Sequence, residues 1–390
     1  MQITAVRTRT LRYPCDRPYA SAGSYFSARV ALLVFVETDA GLTGVGEATL
    51  AAAPASITRA VVEDELAPML VGEDPLRVEF LWQRMYRRSF RHGRKGLLLN
   101  GIAGIDIALW DIVGQAAGLP LYRVFGACHE RLPAYASGGF YSPGKDAAAI
   151  AEECAGYIAE GYRVIKMKVG RNSDLELDRM ADLANAEKLR VSLDDDIKRV
   201  RAVRKAIGPT AGLAVDANNS WDQATVLRFC RAVEDCNLLW LEEPVSTDDV
   251  RTSASLARRL DVPIAGYETE TGLVPWRELL ATGAIDIAQP DTTYSGGFSE
   301  CRRIGALAEA FNIPYAPHCF STGITIVASV HLAASLPNGY IVEVDRNPNA
   351  LRDELFEEPL WVSKDGMIAP PQAPGLGVRL RQDTLDRYAA

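Results

Sequence analysis

The sequence has no long hydrophobic run, and its seven cysteines include no C-x-x-C pair. The longest apolar run near the start, Val30 to Val36, is far too short to cross a bilayer. The first residues also lack the apolar core of a signal peptide. Scattered cysteines in a chain of 390 residues are typical of reduced thiols in a cytosolic protein. We therefore expect a cytoplasmic protein without a membrane partner.

Basic charge is also scarce, since the formal net charge is −8. This balance argues against a nucleic-acid partner. One cluster of basic side chains comprises Arg87, Arg88, Arg91, Arg94 and Lys95. We interpret this cluster as a solvated face, although a role beside an anionic substrate stays open. The glycine fingerprint of a dinucleotide-binding fold is missing as well, because Gly138-Gly139 does not match it.

The length exceeds what one hydrophobic core normally serves, so two domains are expected. Residues 1 to about 50 are typical of antiparallel strands, with Ala28 to Thr38 rich in β-branched residues. Residues 56 to 124 show helical periodicity, clearest from Ile102 to Ala117, where Gly118 ends the pattern. The sequence thus predicts an N-terminal α+β domain over residues 1–128.

From Leu132 onwards, short apolar runs alternate with helical segments. This alternation predicts a closed parallel barrel over residues 129–348, with a doubly wound open sheet as the alternative. Residues 349–390 are expected to return to the N-terminal domain. The eight candidate strands are Leu132–Ser137, Tyr162–Lys168, Gly212–Asp216, Leu238–Glu242, Pro263–Tyr267, Ile285–Gln289, Pro314–Pro317 and Tyr340–Glu343.

Three acids follow consecutive apolar runs at a constant interval. Asp216, Glu242 and Glu268 are each 26 residues apart (242 − 216 and 268 − 242). One strand-helix unit of a barrel takes roughly 30 residues, so the three acids would meet at the barrel mouth. Carboxylate oxygens are the ligands that Mg²⁺ prefers. The spacing therefore predicts a magnesium site.

Candidate bases occupy the same register. Lys166 and Lys168 share one strand face, and repulsion between two ammonium groups predicts a lowered pKa for at least one of them. Asp291 and His318 follow the next two predicted strands, and such an Asp can orient a His ring. Glu343 ends the eighth strand and is a candidate acid.

These parts predict removal of a proton next to a substrate carboxylate. That carbon is very weakly acidic, so a metal that chelates the carboxylate would neutralise the enediolate as it forms. Lys168 and His318 would then lie on opposite faces of the substrate, each able to take or return a proton.

With these residues in view, the chain resembles the enolase superfamily, in its mandelate racemase subgroup. The resemblance rests on the helix Gly104 to Asp111, the Lys-x-Lys pair, the three acid-tipped strands, Gln289-Pro290-Asp291 with Gly296-Gly297, the His and the late Glu. It implies a modified TIM barrel, (β/α)7β, under an N-terminal α+β capping domain. It also implies Mg²⁺ on the three acids, Lys168 as one base assisted by Lys166, the His318–Asp291 dyad as the other, and Glu343 as an electrophile.

Three further expectations follow from the resemblance. The polar stretch Tyr13–Ser27 corresponds to a mobile loop that closes the site and selects the substrate. The stretch from Asn172 to Ile197 is longer than the usual link, so its Asp194-Asp195-Asp196 run is expected to be a solvated insertion. Glu270 shares a strand face with Glu268 by period two, which leaves it as an alternative third ligand.

The expected reaction is dehydration of an acid sugar, an aldonate or aldarate, to a 2-keto-3-deoxy acid. Asn218, Arg17, Tyr19 and Tyr25 are the candidate substrate-binding residues, since a polyol needs polar partners. The alternatives are a racemase or epimerase of a 2-hydroxy acid, and a barrel without catalytic activity that serves in binding. A small-molecule carboxylate is the expected substrate, and the resemblance favours a homo-oligomer.

Overall fold

The computed structural model describes residues 1–50, 52–172, 188–360 and 362–390. The chain begins with a three-stranded antiparallel sheet in the order β1-β2-β3. Its β-branched residues alternate, so that side chains such as Val34 and Val36 are fully buried while the register pairs Val6 with Val36. The strands are β1 (Ile3–Ala20), β2 (Tyr25–Thr38) and β3 (Thr43–Ala48).

Helices cover one face of this sheet. The predicted helix from Ile102 to Ala117 is confirmed and begins earlier, at Leu97. The helices are α1 (Ala55–Ala60), which continues as a π-helical turn Val61–Leu66, then α2 (Val78–Gly93), α3 (Leu97–Ala117) and α4 (Leu121–Val124).

Helix α3 lies against β3 at very short range. A Cβ atom at Gly46 would come 2.0 Å from the Gly104 carbonyl oxygen, and one at Gly44 would come 1.9 Å from that of Ala108. Within the described residues, α3 is the one helix long and apolar enough to cross a membrane, but 83% of its apolar window is buried inside the fold. It therefore serves as the core helix of the N-terminal domain.

The second part of the chain forms a curled parallel sheet in the order β10-β4-β5-β6-β7-β8-β9. Tyr315 closes the ring, because it bridges Ala288 on one side and Gly339 on the other. The strands are β4 (Leu132–Gly138), β5 (Val164–Lys168), β6 (Gly212–Asp216), β7 (Leu241–Glu242), β8 (Ile264–Gly266), β9 (Ile287–Ala288) and β10 (Val342–Asp345).

Among the residues that the structure describes, seven helices alternate with these strands, which confirms the predicted (β/α)7β barrel with a capping domain. The seventh predicted strand, Pro314–Pro317, is reduced to bridging contacts at Tyr315, where proline limits the available N–H donors. The helices are α5 (Ala147–Glu160), α6 (Leu193–Ile207), α7 (Gln223–Ala232), α8 (Val250–Ala257), α9 (Leu273–Thr282), α10 (Gly297–Ala310) and α11 (Gly323–Ser335).

The stretch Tyr13–Ser27, expected to be a mobile loop, is mostly paired as strands, and its role in closing the site stays a prediction. Strand β1 continues to Ala20, and Tyr25, the first residue of β2, already pairs with Ala20. The stretch is therefore a hairpin with a narrow tip. A register shift between Pro14 and Tyr19 absorbs the proline residues. The tip lies on the barrel, where Ala20 bridges Tyr141. We call residues 17–27 the hairpin tip below.

The end of the chain contacts both domains. Beyond α12 (Ala350–Asp353), the short strand β11 (Met367–Ile368) pairs with β4 of the barrel, and after α13 (Gln382–Arg387) Ala389 bridges Leu11 of β1. The tail therefore connects the N-terminal sheet to the barrel. The domain boundaries at residues 128 and 348 remain predictions.

Two acids of α3 secure these contacts between domains. Asp106 is fully buried and accepts hydrogen bonds from the backbone N–H (2.9 Å) and the hydroxyl (2.5 Å) of Ser299, in the first turn of α10. Asp111 accepts from the backbone of Val45 (3.0 Å) and of Leu376 (2.7 Å) in the tail. These hydrogen bonds explain why the helix motif singled out in the sequence places two acids in a buried segment.

A buried histidine in α11 gives the fold a pH dependence. The N–H of Tyr122 donates to His331 Nδ1 (3.1 Å), so the proton lies on Nε2, which donates to the Leu376 carbonyl (3.0 Å). Burial lowers the pKa of His331 to about 4. The unfolded chain takes up this proton near pH 6.5, so the neutral ring stabilises the fold above that pH, and this contribution is lost as the pH falls towards 4.

We expect His331→Leu to lower the free energy of unfolding at neutral pH by about 2 kcal/mol, because the Tyr122 N–H and the Leu376 carbonyl lose their partner. The difference in unfolding free energy between the two proteins should narrow as the pH is lowered from about 7.5 to about 5, because the wild type loses the contribution of His331 and leucine does not titrate. Thermal unfolding of both proteins across this range measures it. A gap that stays constant or widens towards low pH would contradict the assignment.

Candidate active site

Three carboxylates meet at the barrel mouth. Asp216 and Glu242 end β6 and β7 and are paired in register, while Glu268 follows β8 by two residues. One oxygen from each lies within 4.8 Å of the others, and Asp216 and Glu242 are almost completely buried. Oxygen donors at this separation suit a hard divalent cation. We call these three residues the acid triad.

The backbone beyond each strand tip bends sharply to bring the acid triad together. Four residues without glycine's freedom have positive φ angles: Asn218 (42°), Asn219 (64°), Glu243 (39°) and Tyr267 (67°). Such conformations cost free energy and persist where surrounding contacts enforce them, commonly at functional sites.

Glu243 supplies those contacts. Its carboxylate accepts hydrogen bonds from the Asn219 side chain (2.6 Å) and from the backbone N–H groups of Tyr267 (3.0 Å) and Glu268 (3.1 Å). It therefore joins the tips of β6, β7 and β8 from outside the acid triad. Sequence reasoning missed it, since period two placed it on the face opposite to Glu242; its signal was an acid beside a predicted ligand, just before Pro244.

Both lysines of β5 point into the acid triad. Lys166 contacts the carboxylate of Glu242 and lies 2.9 Å from Glu343 Oε1, and Lys168 contacts Asp216. Lys166 is fully buried, and Lys168 is nearly so. The alternation expected for a strand therefore places both amines inside the barrel.

The predicted lowering of a lysine pKa is wrong for this structure. Burial lowers the pKa of both amines, but Glu242 and Glu343 outweigh it for Lys166, and Asp216 does so for Lys168; the pKa of each lysine is raised. The sequence argument counted the repulsion between two neighbouring amines and not the acids that reach them from other strands.

His318 approaches the acid triad from the other end. Asp291 Oδ2 lies 2.7 Å from His318 Nδ1, and the other ring nitrogen lies 3.2 Å from Glu268 Oε2. The N–H and hydroxyl of Thr293 each donate to Asp291 Oδ1 at 2.7 Å, which fixes the carboxylate. The structure thus brings together the predicted dyad, with Asp291 orienting the ring.

Glu343 lies deeper in the barrel. Its Oε1 pairs with Lys166, and its Oε2 accepts the backbone N–H of Cys319 (3.0 Å). Burial alone would raise the pKa of Glu343, but Lys166 and His318 outweigh it and lower the pKa to about 2. The group is therefore ionised here and accepts hydrogen bonds, and its role as an electrophile stays a prediction.

The comparison with known sequences decides the family. Residues 3–126 match the mandelate racemase / muconate lactonizing enzyme N-terminal domain, and residues 149–384 match the enolase C-terminal domain-like family. The chain belongs to the mandelate racemase / muconate lactonizing enzyme family. The predicted resemblance is therefore confirmed.

Relatives in this family are similar over almost their whole length. The arabinonate dehydratase of Saccharolobus solfataricus is 35% identical over 353 residues, covering 90% of this chain and 89% of the relative. The D-galactarolactone cycloisomerase of Agrobacterium fabrum is 33% identical and covers 100% of this chain and 99% of its own. A racemase from Streptomyces coelicolor A3(2), solved with bound magnesium, has a TM-score of 0.87 at 30% identity, with both chains covered fully.

The four candidate substrate-binding residues lie in different surroundings. Asn218 adjoins the acid triad, since its N–H donates to Asp216 Oδ1 (2.8 Å) while its own side-chain oxygen is buried without a hydrogen-bond partner. Arg17 is exposed and donates to the Pro143 carbonyl. Tyr19 is buried, with its hydroxyl engaged by Arg29, and Tyr25 lies under Lys188. Substrate binding by these residues stays a prediction.

Glu270 is separated from the acid triad. It forms an ion pair with Lys95 of the capping domain (Nζ–Oε1, 2.7 Å), whereas Glu268 provides the third oxygen of the triad. In this structure Glu270 therefore pairs with the capping domain. The geometry favours Glu268 over Glu270 as the third ligand, the alternative that strand periodicity had left open.

The expectation that Asp194 to Asp196 is a solvated insertion is wrong for Asp196; residues 173–187 of that stretch lie outside the described residues. Asp196 is fully buried at the start of α6, because Arg199 neutralises it at 2.7 Å. Its carboxylate accepts the Gly170 N–H (2.8 Å), and Arg199 donates to the Lys168 carbonyl (3.1 Å). This pair therefore fixes the backbone immediately after Lys168.

We expect the acid triad to bind Mg²⁺ or Mn²⁺, and Glu268→Gln to weaken that binding by about tenfold or more, because one oxygen anion is lost. Glu270→Gln is the matched control, since it makes the same change two residues away at a carboxylate paired with Lys95. Isothermal titration calorimetry measures both affinities. Equal losses in the two variants would show that the triad is not the ion's site.

Proposed function

We propose that this protein is a Mg²⁺-dependent hydro-lyase that dehydrates an acid sugar, an aldonate or aldarate, to a 2-keto-3-deoxy acid. The observation that carries the proposal is the placement of two bases at opposite ends of one acid triad. Lys168 contacts Asp216 at one end, and His318 lies 3.2 Å from Glu268 at the other. A substrate held between them would meet a proton-transfer group on each face.

The residues present fit a magnesium ion. Asp216, Glu242 and Glu268 offer only oxygen donors, and the unpartnered side-chain oxygen of Asn218 is buried beside them. When bound, Mg²⁺ would offset the negative charge that develops on the substrate carboxylate as the neighbouring proton leaves.

The chain's own groups would carry the proton transfers. One base removes the α-proton, and the C–H electron pair is retained in an enediolate. The enediolate then forms the C=C bond between the α and β carbons as the β-hydroxyl departs with a proton from the opposite group. The product is an enol and one water, and the enol tautomerises to the 2-keto acid. We assign the first transfer to Lys168 in its neutral form, assisted by Lys166, and the second to the protonated ring of His318, oriented by Asp291.

The arabinonate dehydratase relative supports an acid-sugar substrate, because its name states that activity. A second candidate function is an isomerase, which the cycloisomerase and racemase relatives favour. The same two bases would serve it, with the proton returned to the opposite face and no loss of water. Cytoplasmic location, a homo-oligomeric state and the lack of nucleic-acid or membrane partners remain expectations.

We expect the protein with Mg²⁺ to release a 2-keto acid from at least one member of a panel of aldonates and aldarates. Lys168→Met should lower that turnover by about 10²–10⁴-fold, because the base is lost while the side-chain volume is kept. Lys198→Met is the control, since Lys198 is exposed on α6 and pairs only with Asp195 among the described residues. Semicarbazide detection of the keto acid measures all three proteins.

Two outcomes would redirect this proposal. Exchange of the α-proton for solvent deuterium without a keto acid would favour the isomerase. An unchanged rate in Lys168→Met would exclude Lys168 as a base, whatever the substrate.

A further inference from the structure

Glu47, at the end of β3, extends a carboxylate from the capping domain into the barrel. It is fully buried. Its Oε2 accepts hydrogen bonds from the hydroxyls of Thr322 (2.7 Å) and Thr325 (2.8 Å), and its Oε1 accepts from the hydroxyl of Ser321. All three donors lie where the chain enters α11. A buried acid of one domain is therefore satisfied entirely by hydroxyls of the other.

The chain that these hydroxyls anchor carries His318. Only two residues, Cys319 and Phe320, separate the imidazole from Ser321. Residues 318–322, which we call the base segment, follow the seventh strand position at Tyr315 and end at Thr322, the N-cap of α11. The position of the imidazole thus depends on how both ends of this short segment are held.

Further contacts hold the base segment from two sides. From the barrel interior, Glu343 accepts the Cys319 N–H. From the capping domain, the Arg29 guanidinium lies 3.7 Å from the centre of the Phe320 ring and donates to the Ser321 carbonyl (3.2 Å). Glu47 and Arg29 therefore make the capping domain one of the two supports of the segment.

The cost of burying Glu47 argues for a specific role. Burial raises its pKa, and the three hydroxyl donors act against that rise. A buried carboxylate without a described cation beside it is expensive to retain, and an apolar residue would pack a domain interface more simply. The first turn of α11 adds its backbone N–H dipoles, which also favour a negative group.

We propose that Glu47 is a positioning residue for the His318 base, so that docking of the capping domain and orientation of the imidazole are coupled. The proposal rests on the proposed function only in giving His318 a proton-transfer role. Glu47 itself contacts no member of the acid triad in the described interactions. Its loss should therefore weaken steps that need His318 more than the step that needs Lys168.

The test compares two rates in D₂O with the sugar acid that the wild type dehydrates best. Exchange of the α-proton reports Lys168, and release of keto acid also needs His318. We expect Glu47→Gln to lower keto-acid release by about tenfold to a hundredfold, as misplacement of a catalytic group does, while α-proton exchange is retained. Bound Mn²⁺ and the thermal transition establish that the variant is folded.

Asp106→Asn is the matched control. Asp106 is also a fully buried capping-domain acid that accepts a hydroxyl and an N–H from the first turn of a barrel helix, but α10 carries no base. We expect it to lower stability and leave the ratio of the two rates unchanged. A parallel fall of both rates in Glu47→Gln, or a ratio that shifts equally in Asp106→Asn, would overturn the proposal.

A milder pair covers the case in which Glu47→Gln does not fold. Thr325→Val removes one of the three donors and should shift the ratio in the same direction, whereas Thr325→Ser keeps the hydroxyl and should restore it. Equal ratios in the two would overturn the proposal.

Failure of the proposed function is separable. If the wild type dehydrates no acid, the low-field proton signal of the His318–Asp291 hydrogen bond still reports ring position. Its loss in Glu47→Gln but not in Asp106→Asn would support positioning, and its survival would exclude it.

Discussion

The close approach of like charges inside the barrel is the constraint on which the rest of the structure depends. Five carboxylates surround three bases, namely Asp216, Glu242, Glu268, Asp291 and Glu343 around Lys166, Lys168 and His318. Five minus three leaves two negative charges when every group is ionised, which is the charge that one divalent cation balances. Burial, together with this surplus, raises the pKa of Glu242 to about 7. The site is therefore arranged for an added positive charge.

Holding such a site requires support from outside it, and the capping domain supplies part of that support through buried acids. Asp106 accepts at the first turn of α10, and Glu47 accepts at the first turn of α11. Helix N-termini present unpaired N–H groups and a positive dipole end, so a carboxylate is stabilised there. The capping domain thus attaches to the first turns of two barrel helices, but only the Glu47 contact lies on the base segment that carries the imidazole.

The sequence could predict the barrel and the acid triad because both follow from a regular interval. An acid after each apolar run, repeated every 26 residues, has one simple arrangement in a parallel barrel. The lysine pKa values could not be predicted in the same way, since they depend on Glu242 and Glu343, which lie on other strands. Asp196 was misjudged for a related reason: three consecutive acids suggest a solvated run, and only Arg199 and the strand end beside it make burial favourable.

Each base is supported through its own set of contacts that reaches the capping domain. On the Lys168 side, Arg199 holds the Lys168 carbonyl, and Arg171, three residues further on, donates to the Ser21 carbonyl at the hairpin tip (3.0 Å). On the His318 side, Glu47 holds the base segment. The two supports leave the capping domain at different points, the hairpin tip and the end of β3. A change at Glu47 can therefore disturb the His318 transfer without the Lys168 transfer. The hairpin tip reaches both sides, because Phe26 also packs against Phe320 of the base segment (ring centroids 5.2 Å apart), and undocking the domain removes both supports at once.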